Sequence, residues 1–280
     1  MQLKTAENPA AATAPAEFAE LFAAEDRHFW FRARNETIST VIQQLTADLP
    51  NGYRVLEIGC GTGNVLRELV RVCTRGEVIG TDLFEEGLKF ARTRVPCRIV
   101  QSDIYQMPTD DPVHIVGMFD VLEHLSEDGK ALRGVHARLA DGGRLVLTVP
   151  AHMALWSHVD VVAQHHRRYG THELTRVLQA NGFVVEYLTQ FMMTLFPLMW
   201  GSRRLASLMG RSHNDQPGKE REMALQELRI VPILNGVLYR MLAGEKALIA
   251  RRCKLPIGTS LLAIARKATM PGAGFGAVAA

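Results

Sequence analysis

Between Val55 and Asn64 the chain reads VLEIGCGTGN: an apolar run of the kind a buried strand makes, glycines at alternate positions, then a helical pattern from Val65. Glycine has no Cβ, so the backbone at Gly59, Gly61 and Gly63 can take positive φ and approach a ligand closely, beside the unpaired N–H groups of a helix start. A ligand with a small polar body is expected against that turn. The spacing narrows the choice, because a dinucleotide fingerprint would place its third glycine at position 64, where it packs helix on strand, and this chain has Asn64. Asp82 ends the next strand candidate, VIGTD, about 20 residues beyond the turn, where two acceptor oxygens can grip a ribose diol.

The rest of the sequence alternates strand and helix patterns. Residues 53–58 read as a strand, 63–74 as a helix, 77–82 as a strand, 85–94 as a helix, 97–101 as a short strand and 113–119 as another. A helix over 126–140 is expected to stop at Asp141-Gly142-Gly143, before a buried strand from Arg144 to Val149 that Pro150 closes. Thr171 caps a helix through Ala180, Asn181-Gly182 ends it, and 183–190 alternates as a strand. The remaining strand candidate is 258–267, which makes 191–257 an insertion between the last two strands. That insertion holds a Met- and aromatic-rich helix around 192–209, a polar break at 211–218, and a helical stretch over 219–252 that Pro232 should kink. Ahead of the sheet, 17–49 has a helical pattern ended by Pro50-Asn51-Gly52. Repeated βα units imply a parallel sheet covered on both faces, with ligands outside the carboxyl ends of its strands.

Composition adds exclusions. At 280 residues and 47% hydrophobic, the chain can bury one sizeable core. A net charge of +3 without a concentrated basic stripe argues against a nucleic-acid surface. Cys60, Cys73, Cys97 and Cys253 lie far apart with no CxxC pair, which fits a reducing compartment, and a cytoplasmic location is expected. Residues 1–16 are Ala- and Pro-rich without an apolar h-region and read as a flexible lead-in; 268–280 read as a flexible tail. The most apolar segment, Phe191 to Trp200, is interrupted by Thr194 and Pro197 and falls short of the about 20 apolar residues that a bilayer span needs, leaving peripheral contact with a membrane or a lipid-like substrate open. Nothing in the sequence indicates an oligomeric state.

The GxGxG spacing, with Glu57 two residues before the first glycine, resembles motif I of class I S-adenosylmethionine (SAM) dependent methyltransferases of the small-molecule type. The resemblance implies an α/β fold with a seven-stranded Rossmann-like sheet in the order 3-2-1-4-5-7-6 and an antiparallel last strand. The core would be 51–190 with 258–267, the lid 17–50, and the substrate cover the insertion 191–257. It implies SAM as cofactor and S-adenosylhomocysteine as product. Gly59, Cys60, Gly61 and Gly63 would hold the amino-acid end of SAM, with Cys60 simply a small residue in the loop. Asp82 would take the ribose and Leu83 would line one ring face. In Ser102-Asp103-Ile104, Asp103 would accept from the adenine amino group while Ile104 packs on the ring. The stretch MFDVLEHL resembles the DVLEHL sequence of small-molecule and quinone-type methyltransferases rather than the [DNS]PP[YFW] motif of amino-methylating nucleic-acid enzymes, and sets Asp120 beside the methionine part of SAM. Each residue also has a local reading: Glu57 as a loop cap, Asp82 as a helix N-cap, Asp103 as a strand terminator, Glu123 and His124 as ordinary first-turn residues.

Two further segments resemble a bacterial methyltransferase subgroup. His28-Phe29-Trp30-Phe31-Arg32-Ala33-Arg34 is similar to its HxWF-x-x-R segment, which implies a lid, with Trp30 suited to the sulfonium cation and Arg34 to the cofactor carboxylate; docking of the aromatics on the sheet is the competing reading. Leu155 to Asp160 and His165 to Gly170 are similar to its LW-S-x-x-D … H-x-RRY pattern, which borders the substrate pocket. Trp156 and Tyr169 would then contact the acceptor, Arg167 and Arg168 would bind a carboxylate or phosphate, or else pair with nearby acids. Met192, Phe196 and Trp200 in the insertion suit an apolar acceptor, with core packing as the default alternative. His124, His165 and His166 are the candidate bases. A metal on His152, His158, Asp160, His165 and His166 lacks ligand spacing on one face, so no metal is expected. The expected activity is methyl transfer to O or N of a small, largely apolar and in one form anionic metabolite, with no nucleic-acid partner. The rivals are a tRNA or protein methyltransferase and a SAM-binding partner subunit without activity.

Overall fold

The computed structural model describes residues 14–106, 111–208, 226 and 228–268. The expected lead-in over 1–13, the polar break at 211–218 and the tail from 269 lie outside the described residues. Strands β1 (Arg54–Ile58), β2 (Glu77–Asp82), β3 (Arg98–Gln101), β4 (Val113–Phe119), β5 (Leu139–Pro150), β6 (Phe183–Phe191) and β7 (Ser260–Lys267) form one sheet in the order β3-β2-β1-β4-β5-β7-β6. The first five run parallel, and β7 is antiparallel to both β5 and β6. The order and the antiparallel strand are those expected. β1, β4 and the middle of β5 are almost wholly buried, as strands covered on both faces must be, which is why they read as continuous apolar runs.

Two apolar layers flank the sheet. One joins α2 (Phe29–Thr46), α3 (Asn64–Val72) and α9 (Pro232–Ala250) to one face through Ile38, Val41, Ile42, Leu66, Leu69, Leu242 and Ile249. The other packs α5 (Asp128–Arg138) and α7 (Thr171–Ala180) on the opposite face through Leu132, Val135, Leu174 and Leu178. The remaining helices are α1 (Ala14–Glu25), α4 (Glu85–Arg94), the short α6 (His158–Val162) and α8 (Phe196–Leu208).

Several expected boundaries shift. The N-terminal helical stretch is two helices, and α1 begins at Ala14, inside the segment read as a flexible lead-in. The break falls just before His28, whose ring Nδ1 accepts the Trp30 N–H at 3.3 Å and so caps α2. The helix expected over 126–140 stops at Arg138, and Asp141-Gly142-Gly143 lies within β5: the pairing with β4 jumps from Val113↔Leu139 to Ile115↔Arg144, with Gly142 at φ 74° in the extra length. Pro232 does not kink a helix; it starts α9, where its missing N–H costs nothing. The insertion's second helix then lies along α2, with Phe29 N donating to Asn235 Oδ1 at 2.7 Å, Gln44 Nε2 to the Ala250 carbonyl at 2.9 Å, and Glu36 taking Lys246 Nζ at 2.7 Å and the Tyr239 hydroxyl. The N-terminal helix α2 and the insertion helix α9 thus pack as one helical layer. No helix among the described residues is long and apolar enough to cross a membrane.

Candidate functional site

The glycine turn leaves β1 with φ of 73° at Gly59, 51° at Gly61 and 79° at Gly63, all left-handed. A Cβ on Gly59 would stand 2.4 Å from a Val121 methyl, so the turn is open only to glycine there. The N–H groups of Gly59 and Cys60 both donate to the Thr81 carbonyl, at 2.7 and 2.9 Å, which fastens the turn to β2. Asp82 completes it: Oδ2 accepts Gly61 N at 2.8 Å and Oδ1 accepts Phe84 N at 2.9 Å, and each oxygen keeps lone-pair capacity for a diol. Burial raises the Asp82 pKa, against those backbone bonds. Leu83 follows with half its surface open, 52%. Asp103 accepts the N–H of Tyr105 at 2.9 Å, the local turn role, while half-buried Ile104 packs toward the second apolar layer. The Cys60 thiol is pushed far up by burial and has no acid–base part to play.

Glu57 is 2% exposed, and its Oε2 has no partner. Burial lifts its pKa to about 8, with Arg34 opposing and Asp82 and Glu25 adding. Asp120, after β4, takes φ 56°, donates its N–H to the Thr148 carbonyl at 2.9 Å and pairs with Arg34 Nε at 2.8 Å. Arg34 is itself buried, donates to the Phe119 carbonyl at 3.1 Å and lies 5.1 Å from the Trp30 ring centre. Trp30, Arg34 and Asp120 do come together, but the guanidinium expected to meet a cofactor carboxylate is engaged by Asp120.

Helices α1 and α2 are tied to the turn by residues to which the sequence reading gave no such task. Glu25 accepts from Thr62 Oγ1 and from Arg94, both at 2.6 Å, and Phe18 sits over Gly61 and Gly87. Asn64, whose presence ruled out a dinucleotide spacing, bonds Asn35 of α2 and donates to Asp26 at 3.1 Å. The position that would have been a packing glycine is a strut between turn and lid. A polar groove of 440 Å³ is lined by residues of α2, α3 and α9, among them Arg32, Glu36, Arg67, Glu68 and Lys246, and no glycine of the turn borders it.

On the acceptor side, a short 3-10 turn over Leu122–His124 follows Asp120. Glu123 is fully buried with neither carboxylate oxygen partnered, and burial, then the Asp120 charge, holds its pKa well above the usual range against Arg34 and Arg168. His124 and His165 meet edge to face at 4.6 Å between ring centres. His124 keeps solvent-exposed surface, yet the surrounding protein displaces enough water to lower its pKa, with His165 adding, to about 4; it is neutral at pH 7. His165 Nδ1 lies 2.9 Å from Asp160 Oδ1. Asp160 is wholly buried at the start of α6 and accepts Ser157 N at 2.8 Å, Arg168 Nε at 2.7 Å and Arg168 Nη2 at 2.8 Å. Burial works against its charge, but the bonds from His165 and Arg168 win and hold the pKa below the ordinary carboxylate range.

Three of the residues expected at the acceptor have partners within the protein. Arg168 is spent on Asp160, Arg167 on Asp128 Oδ2 at 2.9 Å and the Ser126 carbonyl at 3.1 Å, and fully buried Tyr169 donates its hydroxyl to the same Asp128 oxygen at 2.9 Å. The pairing of arginines with nearby acids is what the structure contains. His166 is exposed, and its backbone N–H donates to the Glu123 carbonyl at 2.8 Å, fastening the loop to the turn. Trp156 is half-buried beside the α6 cap. Met192 is buried in the first apolar layer, Phe196 meets His152 edge-on at 5.6 Å, and Trp200 is exposed with Arg204 5.2 Å from its ring centre. Glu245 of α9, which the sequence reading missed, accepts the N–H groups of Met193 and Thr194 at 3.0 Å and pins the elbow into α8. The signal for Asp160 was present as Ser157-x-x-Asp160, a capping box. The five residues weighed and set aside as metal ligands do not converge as a group; among the described residues Glu123, His124 and His165 do.

The cofactor-side residues fit SAM. The Cβ-free turn, the two-sided carboxylate of Asp82 and the orphaned buried oxygen of Glu57 are what a ligand with a diol and a cationic end would complete.

Residues 30–188 match the family model described as a methyltransferase domain. A Mycolicibacterium smegmatis protein named "Probable S-adenosylmethionine-dependent methyltransferase" is 31% identical over 165 residues, 58% of this chain and 62% of its own length. A Bordetella bronchiseptica ubiquinone biosynthesis O-methyltransferase is 33% identical over 109 residues, 36% of this chain and 44% of its own. In both, the match spans less than two thirds of the relative. A solved TehB-like SAM-dependent methyltransferase from Corynebacterium glutamicum shares the fold at a TM-score of 0.52 and 17% identity, covering 94% of this chain and 100% of that one.

Proposed function

We propose, from the premise that this chain belongs to the methyltransferase-domain family, that it transfers a methyl group from SAM to an oxygen or nitrogen of a small metabolite. SAM supplies a methyl group made electrophilic by its sulfonium charge, and S-adenosylhomocysteine is left behind. The observation that carries the acceptor side is the pair of imidazoles beside Asp120: His165, fixed through Nδ1 by buried Asp160, against neutral His124. A hydroxyl or protonated amine must lose a proton to become a nucleophile, and this pair is where that proton leaves. Glu57, the glycine turn and Asp82 bind the donor, while α1 and α2, strapped down by Glu25 and Asn64, keep water from it. Arg167 and Arg168 have no free charge for an anionic acceptor, so the reading keeps an apolar acceptor and drops the anion. The ubiquinone O-methyltransferase relative supports oxygen as the acceptor atom.

The test is mass-spectrometric detection of a methylated product when the protein and isotopically labelled SAM meet a metabolite extract, with Gly61→Arg as the inactive control. Calorimetry that finds NAD bound, and neither SAM nor S-adenosylhomocysteine, would sink the reading.

A further inference from the structure

We propose that Glu123, His124 and His165 form a binding site for a first-row transition dication on the acceptor side. Their ligand atoms all lie within 4.8 Å of one another, which no other such group among the described residues does. The independent observation is Glu123: its side chain is fully buried, and both carboxylate oxygens lack a partner. A buried polar group normally has one, so this carboxylate is held ready for something absent. The histidines are prepared as well. His165 Nδ1 lies 2.9 Å from Asp160, and with its proton donated there Nε2 keeps a free lone pair, the carboxylate–imidazole arrangement that orients and strengthens a metal ligand. Asp160 cannot drift, because Ser157 and both nitrogens of Arg168 hold it. The loop that carries His165 is in turn joined to the turn that carries Glu123 by the His166 N–H at 2.8 Å from the Glu123 carbonyl.

Two imidazole nitrogens and one carboxylate make a mixed donor set that suits zinc, cobalt, nickel, iron or manganese ahead of magnesium or calcium, which prefer all-oxygen surroundings. Three protein donors leave coordination positions for an acceptor. Its role rests on the methyltransferase reading: a dication there would lower the pKa of an acceptor hydroxyl bound to it, so that the proton leaves to solvent water while the two imidazoles serve as ligands in place of a free base. The binding claim itself does not depend on activity.

The experiment uses the full chain stripped with a chelator and titrated with Co²⁺, followed by visible absorption and calorimetry, with Mg²⁺ in parallel. One saturable Co²⁺ site is expected, at least about ten-fold tighter than for Mg²⁺, and weakened about ten-fold or more by Glu123→Gln and by His124→Ala. His172→Ala, on exposed α7 surface, should leave it unchanged. His124 is exposed, so its variant is expected to fold, and retained S-adenosylhomocysteine binding checks this. No saturable Co²⁺ binding, equal affinity for Mg²⁺, or Co²⁺ binding that survives both site substitutions overturns the proposal. Loss of S-adenosylhomocysteine binding in the unsubstituted chain, with Co²⁺ still bound, overturns the methyltransferase reading and leaves the metal site standing.

Discussion

The glycine turn and the His124–His165 cluster follow neighbouring strands, β1 and β4, at the same edge of the sheet, but they are held in different ways. The turn is positioned through its backbone N–H groups, which the Thr81 carbonyl and the Asp82 carboxylate at the end of the next strand accept from Gly59, Cys60 and Gly61. The cluster is positioned by side-chain charges from a separate loop, with Asp160 and Arg168 bringing His165 to His124 across more than forty residues of chain. A site made of backbone tolerates little change in residue type. A site made of buried ion pairs tolerates little change in charge.

The comparison can be broken from either side. The largest effect is expected at Gly59→Val, where the new side chain would meet Val121 in a left-handed turn; calorimetry should find no SAM binding, and retained affinity would show that the turn can rearrange. Next comes Asp160→Ala, which leaves buried Arg168 uncompensated and should cost about 3–5 kcal/mol of unfolding free energy in a denaturant titration. His165→Ala removes the imidazole but leaves the Arg168 pair, so turnover should fall about 100-fold or more while S-adenosylhomocysteine affinity stays the same. Equal loss in both would place His165 on the cofactor side.

The effect that is smallest at any one step is spread over pH and sharpens the contrast. Glu57 has a folded-state pKa raised to about 8, so its protonated form stabilises the fold fully below the unfolded carboxylate pKa and that contribution fades as pH rises toward 8. Glu57→Gln should therefore gain stability over the unsubstituted, ligand-free chain by about 1 kcal/mol per pH unit between about 5 and 8, and no further above that. Asp160 has the opposite sign: its pKa is depressed, so its contribution is full at neutral pH and is lost only in acid.

Much of the cofactor half was legible because its causes are local. Alternate glycines, an acid at the end of β2 and buried apolar strands each leave a pattern within a few residues, while the strand order was what the family resemblance implied. Position 64 was read as an exclusion, and the structure gave it a positive task, since the strut from Asn64 to Asn35 and Asp26 needs α2 in place. Pro232 was misread because a proline's effect depends on where the helix begins, which composition around it does not fix.

The sequence by itself determined the strands, the glycine turn and the acid that ends β2, because backbone conformation and hydrophobic period are properties of short segments. Only the tertiary structure decided the acceptor half. Arg167, Arg168 and Tyr169 announce charge and hydrogen bonding in the sequence, but whether they face a ligand or each other's acids depends on Asp128 and Asp160 arriving from elsewhere. Glu123 is an ordinary first-turn acid until the fold buries it without a partner. Charge is written in the chain; desolvation and pairing are set by what packs around it.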